Sequence, residues 1–92
     1  MKEKKTVLII DDENRNIFAL KAVLKSKGFH VESATSSNEG ISLLRKNKNI
    51  GVVLLDMMMP DMDGYEALGL IRSDKDLVNT TVFAVTAQAM MG

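Results

Sequence analysis

Residues 52–64 have the sequence VVLLDMMMPDMDG, which is the most informative stretch of this chain. It begins with a short, wholly apolar run rich in β-branched residues, which is typical of a strand buried on both faces. The run ends on Asp56, and a proline and a glycine then enforce a loop. In open parallel sheets, ligand and reaction sites lie in the crevice outside the carboxyl ends of the strands. We therefore expect Asp56 to lie where such a fold carries its chemistry.

Apolar runs and amphipathic segments alternate along the rest of the chain. Besides residues 52–56, we expect strands at Thr6–Ile10, at Thr81–Val85 and, as an edge strand, at His30–Ala34. We expect helices at Asn14–Lys27, at residues 37–46 and at Tyr65–Arg72, and the start of another at residues 88–92. Strands that alternate with helices predict right-handed βαβ crossovers and a parallel sheet covered on both faces. With no internal repeat or linker, residues 1–92 form one α/β domain.

The composition excludes several classes of function. The 92 residues are 46% hydrophobic, which is typical of a globular chain, and they suffice for one small domain. Twelve basic and twelve acidic residues give no net charge, which argues against a general binder of nucleic acids or membrane surfaces. No apolar run approaches the ~18 residues of a membrane span, and the charged N-terminus is unlike a signal peptide. No cysteine is present. The simplest expectation is a cytoplasmic protein.

Carboxylates follow two of the predicted strands. Asp11 and Asp12 come directly after the first strand, and Asp56 ends the third. If these strands are neighbours, the three carboxylates converge and repel one another unless a cation intervenes. Mg²⁺ is the natural partner, since it binds one or two carboxylates together with waters and a phosphate oxygen. Aspartate is a known covalent phosphate acceptor, and Thr86, after the fourth strand, offers a hydroxyl to a phosphate oxygen.

These motifs resemble the receiver domain of two-component response regulators. The resemblance rests on Asp11 and Asp12 after the first strand, Asp56 after the third, MPDMDG at residues 59–64, and Thr86 after the fourth. Their order and spacing match over nearly the whole chain. The resemblance implies a flavodoxin-like (CheY-like), doubly wound parallel sheet with strand order 2-1-3-4-5.

The resemblance also implies a role for each residue of the site. Asp56 would accept phosphate from a phosphohistidine on a sensor histidine kinase or a histidine phosphotransfer protein. Asp11 and Asp12 would form the acid pair for Mg²⁺, with Asp56 and the backbone carbonyl of Met58 completing the metal site. Thr86 would be the switch hydroxyl that turns toward the phosphoryl group. Receivers catalyse their own phosphorylation and dephosphorylation but are not conventional enzymes.

The chain departs from the receiver pattern at its C-terminal end. Receivers have a fifth strand, which ends in a lysine that contacts the phosphoryl group, and a fifth helix beside the first. Here no lysine follows Lys75, and the fifth βα unit is missing. We therefore expect a truncated receiver with strand order 2-1-3-4 and an open edge at Thr81–Val85, where little charge protects the strand.

Two other functions compete with the phosphoacceptor. An assembly unit without efficient phosphotransfer would form a homodimer through the open strand edge or by exchange of elements. A phosphohydrolase of the haloacid dehalogenase type would place its nucleophile after the first strand in an Asp-x-Asp arrangement. Asp11 is followed by Asp12 and Glu13, so that spacing is wrong. A nucleotide site is disfavoured, because neither a Walker loop nor a Gly-x-Gly-x-x-Gly turn is present.

Overall fold

The computed structural model describes residues 6–58 and 64–85. The expected helix at residues 88–92, the MPDMDG loop up to residue 63 and the switch residue Thr86 lie outside the described residues. None of the described helices is long and apolar enough to cross a membrane.

Four strands form one parallel sheet in the order β2-β1-β3-β4, with helices between consecutive strands. This order confirms the prediction, and it makes the two strands that end in carboxylates direct neighbours. The elements are β1 (Thr6–Ile10), α1 (Asn14–Ser26), β2 (His30–Ala34), α2 (Ser37–Lys46), β3 (Ile50–Asp56), α3 (Gly64–Ser73) and β4 (Thr81–Val85).

The element boundaries follow local chemistry. Gly28, with φ of 92°, provides the left-handed residue that ends the first helical segment, as predicted. The Ser36 side chain caps α2 by accepting a hydrogen bond of 3.2 Å from the Glu39 N–H. Strand β3 begins at Ile50, two residues before the predicted start, because a register shift in its pairing with β1 accommodates Gly51 as an extra residue.

The main core lies between the sheet and the face covered by α2 and α3. Strand β1 is buried along its whole length, as predicted. The prediction that residues 52–56 are buried on both faces is wrong: Val53 and Leu55 are buried in this core, whereas Val52 and Leu54 on the opposite face are only half-buried. Since α1 contacts mainly β2, it leaves that face of β3 partly open.

Apolar groups are exposed at the side of the sheet where β4 lies and on α1. No residue of β4 is buried, and Phe83 is 57% exposed. On α1 only Ile17 is buried, while Phe18 is 76% exposed and Val23 is 54% exposed. Within residues 6–58 and 64–85, β4 pairs on one side only, with β3. The predicted open edge is therefore present in the described part of the chain.

Candidate acidic site

The acidic site forms where β1 and β3 end beside each other. Ile10 pairs with Leu55 in the parallel ladder, so the residues that follow emerge at the same edge of the sheet. The Asp11 N–H donates a hydrogen bond of 3.1 Å to the Ala34 carbonyl of β2, which fixes the backbone at the tip of β1. Ladder bonding from both neighbouring strands thus sets the backbone that carries the first carboxylate.

The structure brings together the three carboxylates that the sequence singled out. Asp11, Asp12 and Asp56 each offer an oxygen that lies within 4.8 Å of the other two. Their exposure differs: Asp11 is only 3% exposed, Asp56 is half-buried and Asp12 is exposed. The cluster therefore runs from the protein interior outward to solvent, with Asp56 at an intermediate depth.

Asp11 is held by hydrogen bonds to both of its carboxylate oxygens. Its Oδ1 accepts a hydrogen bond of 2.8 Å from the Glu13 N–H, and its Oδ2 accepts a longer one of 3.4 Å from the Asn16 side-chain amide. Glu13 occupies the N-cap of α1 but makes no side-chain cap bond. Asp11 thus accepts from backbone and side-chain donors at the start of the helix, where the helix dipole favours negative charge.

Sequence reasoning missed Asn16 as part of the site. The usable signal was its spacing: a residue in the first turn of a helix that directly follows a strand lies near the tip of that strand. Asn16 is half-buried, unlike Asn14 in the same turn, which is exposed.

Asp56 is restrained by the loop that follows it and electrostatically strained by its neighbours. The Met58 N–H donates a hydrogen bond of 3.0 Å to its Oδ1. Burial raises the pKa of Asp56, and the charges of Asp11 and Asp12 and a side-chain hydrogen bond with Asp12 raise it further, while the bond from Met58 opposes the shift. The negative charge of Asp56 is therefore less well stabilised than that of a fully solvated aspartate.

Helix α3 begins in close contact with the backbone beside Asp56. A Cβ placed on Gly64 would lie 2.9 Å from the Asp56 carbonyl oxygen and would also meet Met57. A side chain at position 64 would thus overlap the backbone at the end of β3, and a glycine is needed for this close contact. Helix α3 can thus begin directly against the strand end that carries Asp56.

The donor chemistry of the cluster fits a hard divalent cation. Carboxylate oxygens are the ligands that Mg²⁺ prefers, and a cation would relieve the repulsion that raises the pKa of Asp56. Asp56 is also better suited than Asp11 to act as a nucleophile, because Asp11 is buried and accepts hydrogen bonds on both oxygens. This arrangement disfavours the phosphohydrolase alternative, in which the nucleophile follows the first strand.

Comparison with known proteins identifies the family to which these features correspond. The family model of the response regulator receiver domain matches residues 7–92. The transcriptional regulatory protein YvrH of Bacillus subtilis is 35% identical over 88 residues, a match covering 95% of this chain and 35% of that protein. The signal transduction histidine-protein kinase BarA of Escherichia coli K12 is 37% identical over 87 residues, covering 95% of this chain and 9% of that protein.

A solved structure shows the same architecture. The N-terminal domain of a response regulator receiver protein from Methanoculleus marisnigri JR1 superposes with a TM-score of 0.86 at 32% identity, covering 89% of this chain and 66% of that one. The chain thus spans about a third or less of the two curated relatives and about two thirds of this solved structure.

Proposed function

The chain belongs to the response regulator receiver domain family, and from this premise we propose that it is a phosphoacceptor module of a two-component or phosphorelay system, with Asp56 as the acceptor. The observation that carries the proposal is the cluster of three carboxylates, in which Asp56 alone combines partial burial with a position at the tip of β3. Burial and the charges of Asp11 and Asp12 raise the pKa of Asp56, so a cation that offsets these charges would favour the ionised form, which is the form that attacks phosphorus.

In the proposed reaction, an ionised oxygen of Asp56 attacks the phosphorus of a phosphohistidine. The new O–P bond forms as the P–N bond to the imidazole breaks, and the released nitrogen takes a proton from solvent water. The hydrogen bond from the Met58 N–H to the Asp56 Oδ1 restrains the carboxylate, which leaves its second oxygen as the attacking group. The product is an acyl phosphate on Asp56 and a neutral histidine on the donor.

The proposed metal site uses Asp11, Asp12, Asp56 and the backbone carbonyl of Met58. When bound, Mg²⁺ offsets the charge of the carboxylates and of the incoming phosphoryl oxygens. The inner position of Asp11 and the exposed position of Asp12 provide oxygen donors at two depths of the cluster. Thr86, which follows β4 in the sequence, is proposed as the switch hydroxyl.

The proposed partner is a sensor histidine kinase or a histidine phosphotransfer protein, and the proposed setting is the cytoplasm. The support is the family itself, since the similar proteins include a transcriptional regulatory protein and a histidine-protein kinase. No role in binding nucleic acid or a membrane is proposed for this domain.

The test is phosphoryl labelling of the purified chain with acetyl phosphate or with a phosphohistidine donor. We expect labelling that requires Mg²⁺ and that the Asp56→Asn substitution abolishes. Asp76→Asn is the matched control, because it removes the same charge at an exposed position beyond the opposite end of α3. Labelling that persisted in the Asp56→Asn protein would contradict the proposal.

A second candidate function, assembly of two copies, is favoured by the difference between the two edges of the sheet. The edge formed by β2 carries His30 and Glu32, whereas Thr81–Val85 has no charged residue and exposes Phe83. Charged side chains protect strand edges against pairing, so β4 is the unprotected edge in the described part of the chain. We propose homodimerisation through this edge, which leaves the carboxylates in each copy intact.

Sedimentation velocity over a concentration series tests the assembly. We expect a concentration-dependent dimer that Phe83→Lys shifts toward monomer, since a lysine on the edge strand disfavours pairing. Ser42→Lys is the matched control, because it adds the same charge at an exposed position on α2, away from the β4 edge. A strictly monomeric wild-type protein would exclude this function.

A further inference from the structure

The most buried carboxylate of the acidic site depends on a side chain outside the cluster. Asp11 is 3% exposed, so water contributes little to its solvation. The Glu13 N–H holds its Oδ1 at 2.8 Å, and the Asn16 amide nitrogen lies 3.4 Å from its Oδ2. The backbone donor restrains one oxygen, and the Asn16 donor adds a second, longer hydrogen bond to the other oxygen.

We infer that Asn16 is a positioning residue that orients Asp11 for Mg²⁺. The inference rests on the proposed function, because it assigns to Asn16 a role in the metal site proposed there. Rotation about the Cβ–Cγ bond moves both oxygens of Asp11, and the Asn16 amide adds a second hydrogen bond that opposes this rotation. Asn16 does not itself bind the metal; it acts through Asp11.

The position of Asn16 in the fold supports this role. It lies in the first turn of α1, is half-buried and directs its amide back to the tip of β1. The donated hydrogen bond also offsets part of the negative charge of Asp11 while Asp12 and Asp56 crowd it. The Asp11 carboxylate is therefore restrained before a cation arrives, so less ordering of this side chain is needed when the cation binds.

Residues that hydrogen-bond to metal ligands typically contribute a factor of about 10 to 100 in metal affinity. Because the bond from Asn16 is long, at 3.4 Å, we expect an effect at the lower end of that range, about tenfold. The backbone donor at Glu13 remains in any Asn16 variant, so Asp11 keeps one restraint.

The experiment is isothermal titration calorimetry of Mg²⁺ into the intact wild-type chain and into Asn16→Ala, Asn14→Ala and Asn16→Gln. We expect the dissociation constant to rise about tenfold in Asn16→Ala. The matched control Asn14→Ala, at an exposed position in the same turn, should bind like the wild type. Asn16→Gln keeps an amide donor on a longer side chain and should restore most of the affinity. Urea unfolding of each protein separates lost orientation from lost folding, and Asn16→Ser serves if Asn16→Ala does not fold.

The outcomes distinguish this inference from the proposed function. If the wild-type protein binds Mg²⁺ and is phosphorylated on Asp56, but Asn16→Ala binds Mg²⁺ equally well, the positioning role is excluded and the proposed function stands. Equal losses in Asn16→Ala and Asn14→Ala would also exclude it, since the effect would then belong to the helix turn. If the wild-type chain neither binds Mg²⁺ nor becomes labelled, both ideas fail together.

Discussion

Removing the charge of Asp56 is expected to stabilise the metal-free protein at neutral pH. The carboxylate oxygens of Asp56, Asp11 and Asp12 lie within 4.8 Å of one another. At that separation two unit charges repel by about 0.9 kcal/mol in water and by about 3.5 kcal/mol at an effective dielectric constant of about 20. Because Asp56 is half-buried and Asp12 is exposed, the repulsion energy lies closer to the value in water. We expect Asp56→Asn to raise the free energy of unfolding by about 1–2 kcal/mol.

The asparagine keeps the shape of the side chain, and its carbonyl oxygen still accepts the hydrogen bond from the Met58 N–H. The measured difference therefore reports mainly charge. The assay is urea unfolding followed by circular dichroism, in a chelator and at low ionic strength, where repulsion is least screened. Asp76→Asn is the matched control, because it removes one negative charge away from the cluster.

Mg²⁺ should make the wild-type protein more stable than Asp56→Asn, the reverse of the order expected without the cation. A ligand that binds the native state stabilises it by mass action, and the wild-type cluster has one more carboxylate for the cation than Asp56→Asn has. Excess Mg²⁺ should thus stabilise the wild-type protein more than the variant. The reasoning would be refuted by an Asp56→Asn protein that is no more stable than the wild type without Mg²⁺, or by an equal gain in Asp76→Asn.

Three further predictions concern pH, packing and the support of β4. The raised pKa of Asp56 implies a contribution to stability that is fully present below its ordinary pKa of 3.8 and is lost as pH rises through the raised pKa. The free energies of unfolding of the wild type and of Asp56→Asn should therefore converge in acid. Gly40→Ala should destabilise the fold by about 1–2 kcal/mol in thermal unfolding, because its Cβ would lie 2.6 Å from the Ile10 Cγ1 and overpacking outweighs the helix preference for alanine. In Gly69→Ala the new Cβ would meet nothing within 4 Å, so this variant should instead stabilise the fold by about 0.5–1 kcal/mol. A Gly40→Ala protein more stable than the wild type would contradict the close packing of Gly40 against Ile10. Arg72 donates hydrogen bonds of 2.7 and 2.8 Å to two carbonyls in the segment before β4. Arg72→Met should therefore lower the free energy of unfolding by about 1–2 kcal/mol and speed amide hydrogen exchange in β4. Unchanged exchange would show that Arg72 does not support this strand.

The strands and the carboxylates at their ends could be predicted from strong, local patterns in the sequence, whereas the strand order followed from the resemblance to receiver domains. Apolar runs that end in Asp11 and Asp56 indicate buried parallel strands, and adjacent parallel strands expose their carboxyl ends at one edge. The start of β3 was less predictable, since Gly51 weakens the strand pattern and is accommodated only through a shift in pairing with β1. The hydrogen bond from Asn16 to Asp11 depends on the angle at which α1 leaves the sheet, which no periodicity in the sequence encodes.

The two halves of the proposed site have different structural support. Asp11 follows β1, which is buried along its whole length, and it is held by donors at the start of α1. Thr86 follows β4, a strand with no buried residue and with a pairing partner on one side only among the described residues. The proposed acceptor Asp56 depends on both halves, because β3 pairs with β1 on one side and with β4 on the other, where the Met57 N–H donates a hydrogen bond of 3.0 Å to the Val85 carbonyl. Pairing of β4 with another strand would therefore stabilise both the strand beside Asp56 and the strand that leads to the proposed switch residue Thr86, while the hydrogen bonds of Asp11 stay unchanged.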